Sequence, residues 1–316
     1  MNRNRILTVT LNPALDMTGS LGLLEAGEVN LINEGSLHPA GKGVNVARVL
    51  SDLGTPVTVS GCLGDENLDT FIQLFKSMDA RDEFVRVHGA SRINVKLVEA
   101  DGRVTDINFP GVAVSPEKAE EMETRLFELA ASHDYIVIAG SLPPGISPEL
   151  FSEWLKGLRE QGKKVALDTS GAALTAGLSV APWLVKPNEV ELSAWAGKPL
   201  DDEASLMAAG EELAATGIEH VVISRGAEGV LWLNNGNWLK AVPPKMKVVS
   251  TVGAGDTLVA GMCWGLYKEN TPQDVLAFAT ALSALAVSQV GVGVPDISDV
   301  KALADRVEMN ALAGKA

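Results

Sequence analysis

The chain has 316 residues, 46% of them hydrophobic and 21% charged, with a formal net charge of −14. That is enough apolar chain for a full buried core in one large α/β domain, while an acidic chain with no basic tract and no basic amphipathic helix excludes nucleic acid and anionic membrane as partners. The opening residues, MNRNRILTVTLNP, contain an apolar run of six, too short for a signal-peptide core or a membrane span, so the expected location is the cytoplasm.

In chain order, ILTVTL (6–11) is a β-rich run that stops at Asn12-Pro13. Residues 17–37 read as short polar strands, EVNLINEGSL among them. Val44, Ala47, Leu50 and Leu53 then share one helical face, and Gly54 ends that helix. A strand at VTVSG (57–61) and a helix over 67–78 follow. RINVKLVEADGRVTDINF alternates around Asp101-Gly102, the dipeptide of a tight hairpin. YIVIAG (135–140), KVALD (164–168), WLVK (183–186) and HVVIS (220–224) are apolar on both faces, with helical stretches between them. Such runs predict a parallel sheet covered on both sides, hence an α/β fold. Asn235-Gly236 predicts a second hairpin near the sheet edge, and the chain from 254 onward reads as helical. The two polar-strand segments, about 17–37 and 88–110, are expected to form a small antiparallel β lid inserted discontinuously in a single domain over 1–316. Cys62 and Cys263 lie in apolar contexts and read as core residues.

VSTVGAGDTLVAG (249–261) is the most informative stretch. Gly253, Ala254 and Gly255 open a helix, where backbone N–H groups converge on an anion, and Asp256 sits in the first turn. A carboxylate kept ionised by the helix field beside a bound phosphate suits a general base; an ordinary helix cap is the competing reading. A dinucleotide fingerprint fails, because Leu258 stands where its third glycine belongs. HPAGKGVNVARVL (38–50) sets Lys42 between Gly41 and Gly43, but a P-loop would place Ser or Thr after the lysine.

GAGD opening a late helix, AGKGVNVA, KPNEVE and SRGAEG resemble, in order and position, the PfkB branch of the ribokinase-like sugar kinases, over roughly residues 6–305. TLNPALD, SRINVKL, GSLPPG and STVGAGD resemble its phosphosugar kinases, whose pattern Ser250-Thr251-Val252 also fits better than the usual Asp-Thr-Thr. The resemblance implies a three-layer α/β/α domain. It also implies ATP-dependent phosphorylation of a ketohexose phosphate, fructose 1-phosphate first, with tagatose 6-phosphate and fructose 6-phosphate as alternatives. Asp256 would be the base and the amides of 253–256 the anion hole. The sugar side would be Asp16, which accepts bonds from hydroxyls, together with Gly41, Lys42, Asn45 and the lid residues Arg92, Asn94 and Lys96. Those three alternate along one strand and so share a face. Lys42 is expected to read the phosphate already on the sugar, and Arg103, across the hairpin, to join the lid cations. The nucleotide side would be Lys186, Asn188 and the turn Ser224, Arg225, Gly226, Ala227, Glu228 and Gly229. Glu191 would order water around Mg²⁺, and the family pattern admits a monovalent cation such as K⁺ near Ser250 and Val252. The small residues of AFATALSALAV are compatible with an adenine pocket or with tight core packing.

A sugar-phosphate sensor without catalysis is the other class of reading, and the presence of Asp256, Asn188 and Glu191 weighs against it. A lid with exposed edges and one apolar face is a liability in water, so a homodimer of clasped lids is expected, with Val29, Leu31, Val95 and Leu97 as candidate contacts.

Overall fold

The computed structural model describes residues 5–289 and 291–312. Its first half runs β1 (Ile6–Thr10), β2 (Ala14–Leu21), β3 (Glu34–Ala40), α1 (Lys42–Asp52), β4 (Val57–Gly64) and α2 (Asp69–Ser77). Then come β5 (Arg81–Asp82), β6 (Val85–Val87), β7 (Arg92–Glu99), β8 (Val104–Ile107) and α3 (Pro116–Ala130). The second half begins with β9 (Tyr135–Ala139), α4 (Pro148–Glu160), β10 (Lys164–Asp168), α5 (Gly171–Leu178) and β11 (Leu184–Val185). It continues with α6 (Glu189–Ala196), α7 (Glu203–Ala215), β12 (His220–Ser224), β13 (Val230–Asn234) and β14 (Asn237–Val242). The chain closes with α8 (Ala254–Tyr267), α9 (Pro272–Ala286), α10 (Ile297–Ala304) and β15 (Glu308–Leu312).

The apolar runs become the central sheet, in the order β15-β14-β13-β12-β11-β10-β9-β1-β4-β5, with β6 also on β4. From β12 to β5 every pairing is parallel. Alternation within each strand then makes two cores. Ile136, Ile138, Val165 and Leu167 pack against α3, α4, α5 and α7 on one face. Val137, Ala139 and Ala166 pack against α1, α8, α9 and α10 on the other. This is the expected three-layer α/β/α arrangement.

Chain order moves from β1 outward to β4, then returns to β9 on the opposite side of β1. A crevice opens at the carboxyl ends of strands where the order reverses, and ligands of such sheets bind there. The loops after β1 and β9, together with the start of α1, meet at that point.

The lid is a separate sheet in the order β3-β2-β7-β8. Its two outer pairings are antiparallel and its central pairing, β2 with β7, is parallel. The strands begin closer to the body than the sequence suggested, at Ala14, and β3 reaches Ala40. The expected strand across 28–33 does not form. Instead Asn30 ties that segment to itself, accepting from the Glu25 amide at 2.9 Å and donating to the Glu25 and Glu28 carbonyls at 2.9 and 3.0 Å. A self-capping side chain competes with the ladder for backbone groups. At the far edge, β15 pairs with β14, a strand that sequence reading missed.

Candidate active site

Asp256 stands in the first turn of α8, 6% exposed. Gly253 precedes that helix with φ +78, in the left-handed region, and a Cβ there would come within 2.3 Å of Val292. Glycine is therefore required twice over, by conformation and by space. No side chain caps α8, so the first-turn amides of Ala254, Gly255 and Asp256 belong to the set that a helix leaves without intrahelical partners. The Asn45 amide, from the first turn of α1, donates to Asp256 Oδ2 at 2.7 Å.

Helix field was expected to keep Asp256 ionised. Burial instead pushes its carboxyl up to about 6, with the nearby charge of Asp168 adding to the rise, against the opposing pull of Lys42, Asn45 and Lys186. A base in that range is mostly deprotonated at neutral pH and still accepts a proton readily.

Asp168, the last residue of β10, was not picked out from the sequence. It is 1% exposed, and a single oxygen, Oδ1, lies 3.2 Å from both Lys42 Nζ and Lys186 Nζ. Burial alone would raise its carboxyl; the two lysines outweigh that and hold it below the ordinary value. The signal was there to read: an otherwise apolar strand, KVALD, ends in a carboxylate at the sheet edge where sites form. Lys42 thus pairs with the Asp168 carboxylate, and the charge of Asp256 also acts on it. Burial lowers its amine, but Asp168 and Asp256 together raise it above the ordinary value.

The lid carries its own polar group. Asp16 pairs in register with Asn94, whose amide donates to Asp16 Oδ1 at 3.1 Å. Burial raises the Asp16 carboxyl, while Asn94, Lys96 and Arg92 act the other way. Arg92 donates to the Phe109 and Asn12 carbonyls, both at 3.1 Å, and Lys96 is paired with Asp106 on β8. Arg103 does not join them; its partner is Glu99 on the same hairpin. Asn12 was also missed. Its amide donates to the Pro110 carbonyl at 2.9 Å and to Ser141 Oγ at 3.1 Å, tying the lid's return segment to the loop after β9.

Gly41 has φ +125, and a Cβ on Gly43 would lie 2.4 Å from Thr10 Oγ1 and 2.9 Å from the Val9 carbonyl. The glycines of AGKG therefore let α1 press its first turn onto β1, which is what brings Lys42 and Asn45 to the crevice.

On the other side, Lys186 follows β11, and its Nζ lies 3.6 Å from where a Cβ on Gly255 would stand. Asn188 and Glu191 form a reciprocal capping box at the start of α6, at 2.8 and 2.9 Å. One oxygen of Glu191 is used in that cap, so a helix-start role is realised here. Its negative charge acts on Lys42, and a carboxylate is the hard oxygen donor that Mg²⁺ takes, directly or through water. Ser224 ends β12 beside Asn188. Arg225 is clamped by Glu189 at 2.9 Å, Glu203 at 2.8 Å and Glu228. Gly226, Ala227 and Glu228 form a single 3-10 turn, and a Cβ on Gly229 would strike the Ala241 carbonyl. The small residues of AFATALSALAV serve packing: a Cβ on Gly261 of α8 would lie 2.7 Å from Ala279 Cα.

A buried carboxylate at an uncapped, glycine-led helix start, lysines around it and a β lid beside the crevice are the features of a sugar kinase of the ribokinase type. The chain belongs to the pfkB family of carbohydrate kinases, whose model matches residues 10–299. It is 54% identical to a 1-phosphofructokinase of Vibrio cholerae over 308 residues, 98% of this chain and 97% of that one. It is 48% identical to a 1-phosphofructokinase of Escherichia coli over 306 residues, 96% and 98% of the two chains. Phosphofructokinase-2 from Escherichia coli, solved in complex with substrates and products, superposes with a TM-score of 0.88 at 28% identity, covering 96% of this chain and 99% of that one. The same protein has been solved with potassium and in a tetrameric inhibited form. Among the described residues, no helix is long and apolar enough to cross a membrane.

Proposed function

We propose that this chain is a 1-phosphofructokinase, which transfers the γ-phosphoryl group of ATP to O6 of fructose 1-phosphate and yields fructose 1,6-bisphosphate and ADP. The observation that carries the reading is Asp256, buried at the start of α8 with its carboxyl near 6 and Asn45 on one oxygen. Two curated relatives at 48–54% identity carry that activity in their names.

In this reading the free Asp256 oxygen takes the O6 proton as O6 attacks the γ-phosphorus. The bond to the β,γ-bridging oxygen breaks and ADP leaves. The first-turn amides of Ala254, Gly255 and Asp256 meet the charge spread over the transferring group, with Lys42 and Lys186 beside it. Glu191 would hold Mg²⁺ through water, and the ion would supply charge neutralisation for the polyphosphate. Asp16, oriented by Asn94, takes the sugar hydroxyls. Arg92 and Lys96 meet the phosphate already on the sugar, and the segment from Ser224 to Gly229 with Asn188 forms the nucleotide wall. A potassium ion near Ser250 and Val252 fits the potassium complex of the Escherichia coli neighbour. The reading keeps the cytoplasmic location expected from the sequence.

The lid adds a homodimer. Leu37, Met17, Val95 and Ile107 are matched in register across all four strands and so share one face. Met17, Leu37 and Ile107 on it are 40–47% exposed. Val95 and Leu97 belong to this face as expected, whereas Val29 and Leu31 sit in the connecting segment. An apolar sheet face of this kind favours burial against a second copy, and Escherichia coli phosphofructokinase-2 has itself been solved in a tetrameric form.

Comparison of kcat/KM for fructose 1-phosphate, fructose 6-phosphate and tagatose 6-phosphate tests the acceptor. Fructose 1-phosphate should lead; a clear preference for either of the others would reassign the substrate.

A further inference from the structure

We propose that Asp168 is a positioning residue for phosphoryl transfer, its one buried oxygen holding Lys42 and Lys186 together at the start of α8. The inference rests on the kinase reading above.

The geometry begins in the backbone. Asp168 ends β10 between β9 and β11, where its carbonyl accepts from the Gly140 amide at 2.9 Å. The preceding carbonyl, of Leu167, accepts from the Lys186 amide at 3.2 Å, and the following residue, Thr169, donates its hydroxyl to the Gly140 carbonyl at 2.7 Å. The carboxylate is thus fixed from both neighbouring strands, and its side chain is fully buried. Two lysines from unrelated parts of the chain converge on it at 3.2 Å each. Lysine stems are flexible and like charges repel, so without a shared anion neither ammonium would be held at this spot. With it, both stand near the amides to which the transferring group must come. Asp168 Oδ2 is buried and has no hydrogen-bond donor among the described residues.

The same placement ties Asp168 to the base. Asn45 from α1 bonds Asp256, and the charges that act on it are those of Asp168 from β10, Lys42 from α1 and Lys186 after β11. From α9, Ser283 donates to the Ala254 carbonyl at 3.0 Å, two residues before Asp256. Among these, Asp168 is the one negative charge. It therefore raises the proton affinity of the base while it organises the lysines that lower it.

Two variants with opposite signs test this. In Asp168→Asn the repulsion is removed and both lysines are left to Asp256, so its titration midpoint should fall by about one pH unit. In Lys42→Met an attraction is removed and Asp168 is left less compensated, so the midpoint should rise by a similar amount. The midpoint is read directly by NMR of ¹³C-labelled Asp256 in the full chain, with no substrate present. For Asp168→Asn, kcat with fructose 1-phosphate should also fall about 10- to 100-fold as the two ammonium groups lose their place. Wild-type protein that shows no phosphorylation of fructose 1-phosphate would defeat the functional reading and leave the NMR result standing. Midpoints unchanged in both variants, or moved in the same direction, would overturn the role of Asp168. If Asp168→Asn does not fold, Lys42→Met decides alone: a midpoint that stays at the wild-type value overturns the proposal.

Discussion

Asn45 on α1 and Asp256 on α8, 211 positions apart in sequence, are joined by a 2.7 Å hydrogen bond. The bond occupies one oxygen of Asp256 and stabilises its ionised form; in the proposed mechanism the other oxygen takes the proton of the incoming hydroxyl. Asn45→Ala should raise the Asp256 carboxyl above its present value near 6 and so shift the acid limb of the kcat/KM profile upward. Activity lost at neutral pH should be partly recovered by assaying at higher pH. A limb that does not move would mean that the bond serves only to pack α1 on α8.

Asp256→Asn separates activity from stability. The loss of the proton acceptor should lower kcat roughly 10²- to 10⁴-fold, while sugar-phosphate binding persists. The stability sign is the reverse. The folded carboxyl is raised from 3.8 to about 6, so the folded state binds this proton more tightly than the unfolded chain. Stabilisation from protonation is fully present below about pH 4 and is lost as pH rises through about 6. At pH 7 the wild type therefore carries a destabilising charge of on the order of 2 kcal/mol that the amide lacks. Asp256→Asn should melt higher than wild type at pH 7, with the difference vanishing near pH 4. An equal or lower Tm at pH 7 would contradict the burial argument.

The separation of Lys42 from Arg92 makes a kinetic contrast. Lys42 sits with Asp168 and Asp256, while Arg92 sits beside Asp16 in the lid. Arg92→Met should raise KM for fructose 1-phosphate about tenfold or more and spare the weak reaction with unphosphorylated fructose, since a charge-assisted contact to an anion contributes about 1.5–3 kcal/mol. Lys42→Met should depress kcat for both. Steady-state kinetics with the two acceptors checks the pair; selectivity lost in Lys42→Met instead would return Lys42 to the sugar's own phosphate.

The lid face predicts assembly. Light scattering should give about twice the 33.2 kDa chain mass, and Met17→Asp with Leu37→Asp, on the exposed lid face, should yield monomers. A wild-type monomer at micromolar concentration would refute the clasp.

What could be read from the sequence followed from periodicity and from glycine. Apolar runs such as YIVIA and HVVIS specify buried parallel strands by composition, and Gly253 announces the α8 start that carries Asp256. What could not be read depended on partners distant in the chain. Nothing local in KVALD says that two lysines will share Asp168, and nothing in NPALD says that Asn12 will tie the lid to the loop after β9. Strand β15 is short and mostly exposed, held by its pairing with β14 rather than by its own composition. Position on one strand placed Arg92, Asn94 and Lys96 together, but the partners they chose, backbone for Arg92 and Asp106 for Lys96, were set by tertiary contacts.

The central claim, phosphoryl transfer to O6 of fructose 1-phosphate, is tested most directly by ³¹P NMR of the reaction of the purified protein with ATP, Mg²⁺ and fructose 1-phosphate. The account predicts ADP and a new phosphomonoester resonance in equal amounts, with the original C1 phosphate retained and the product matching fructose 1,6-bisphosphate. Release of inorganic phosphate without a new ester, or no consumption of ATP, would contradict it.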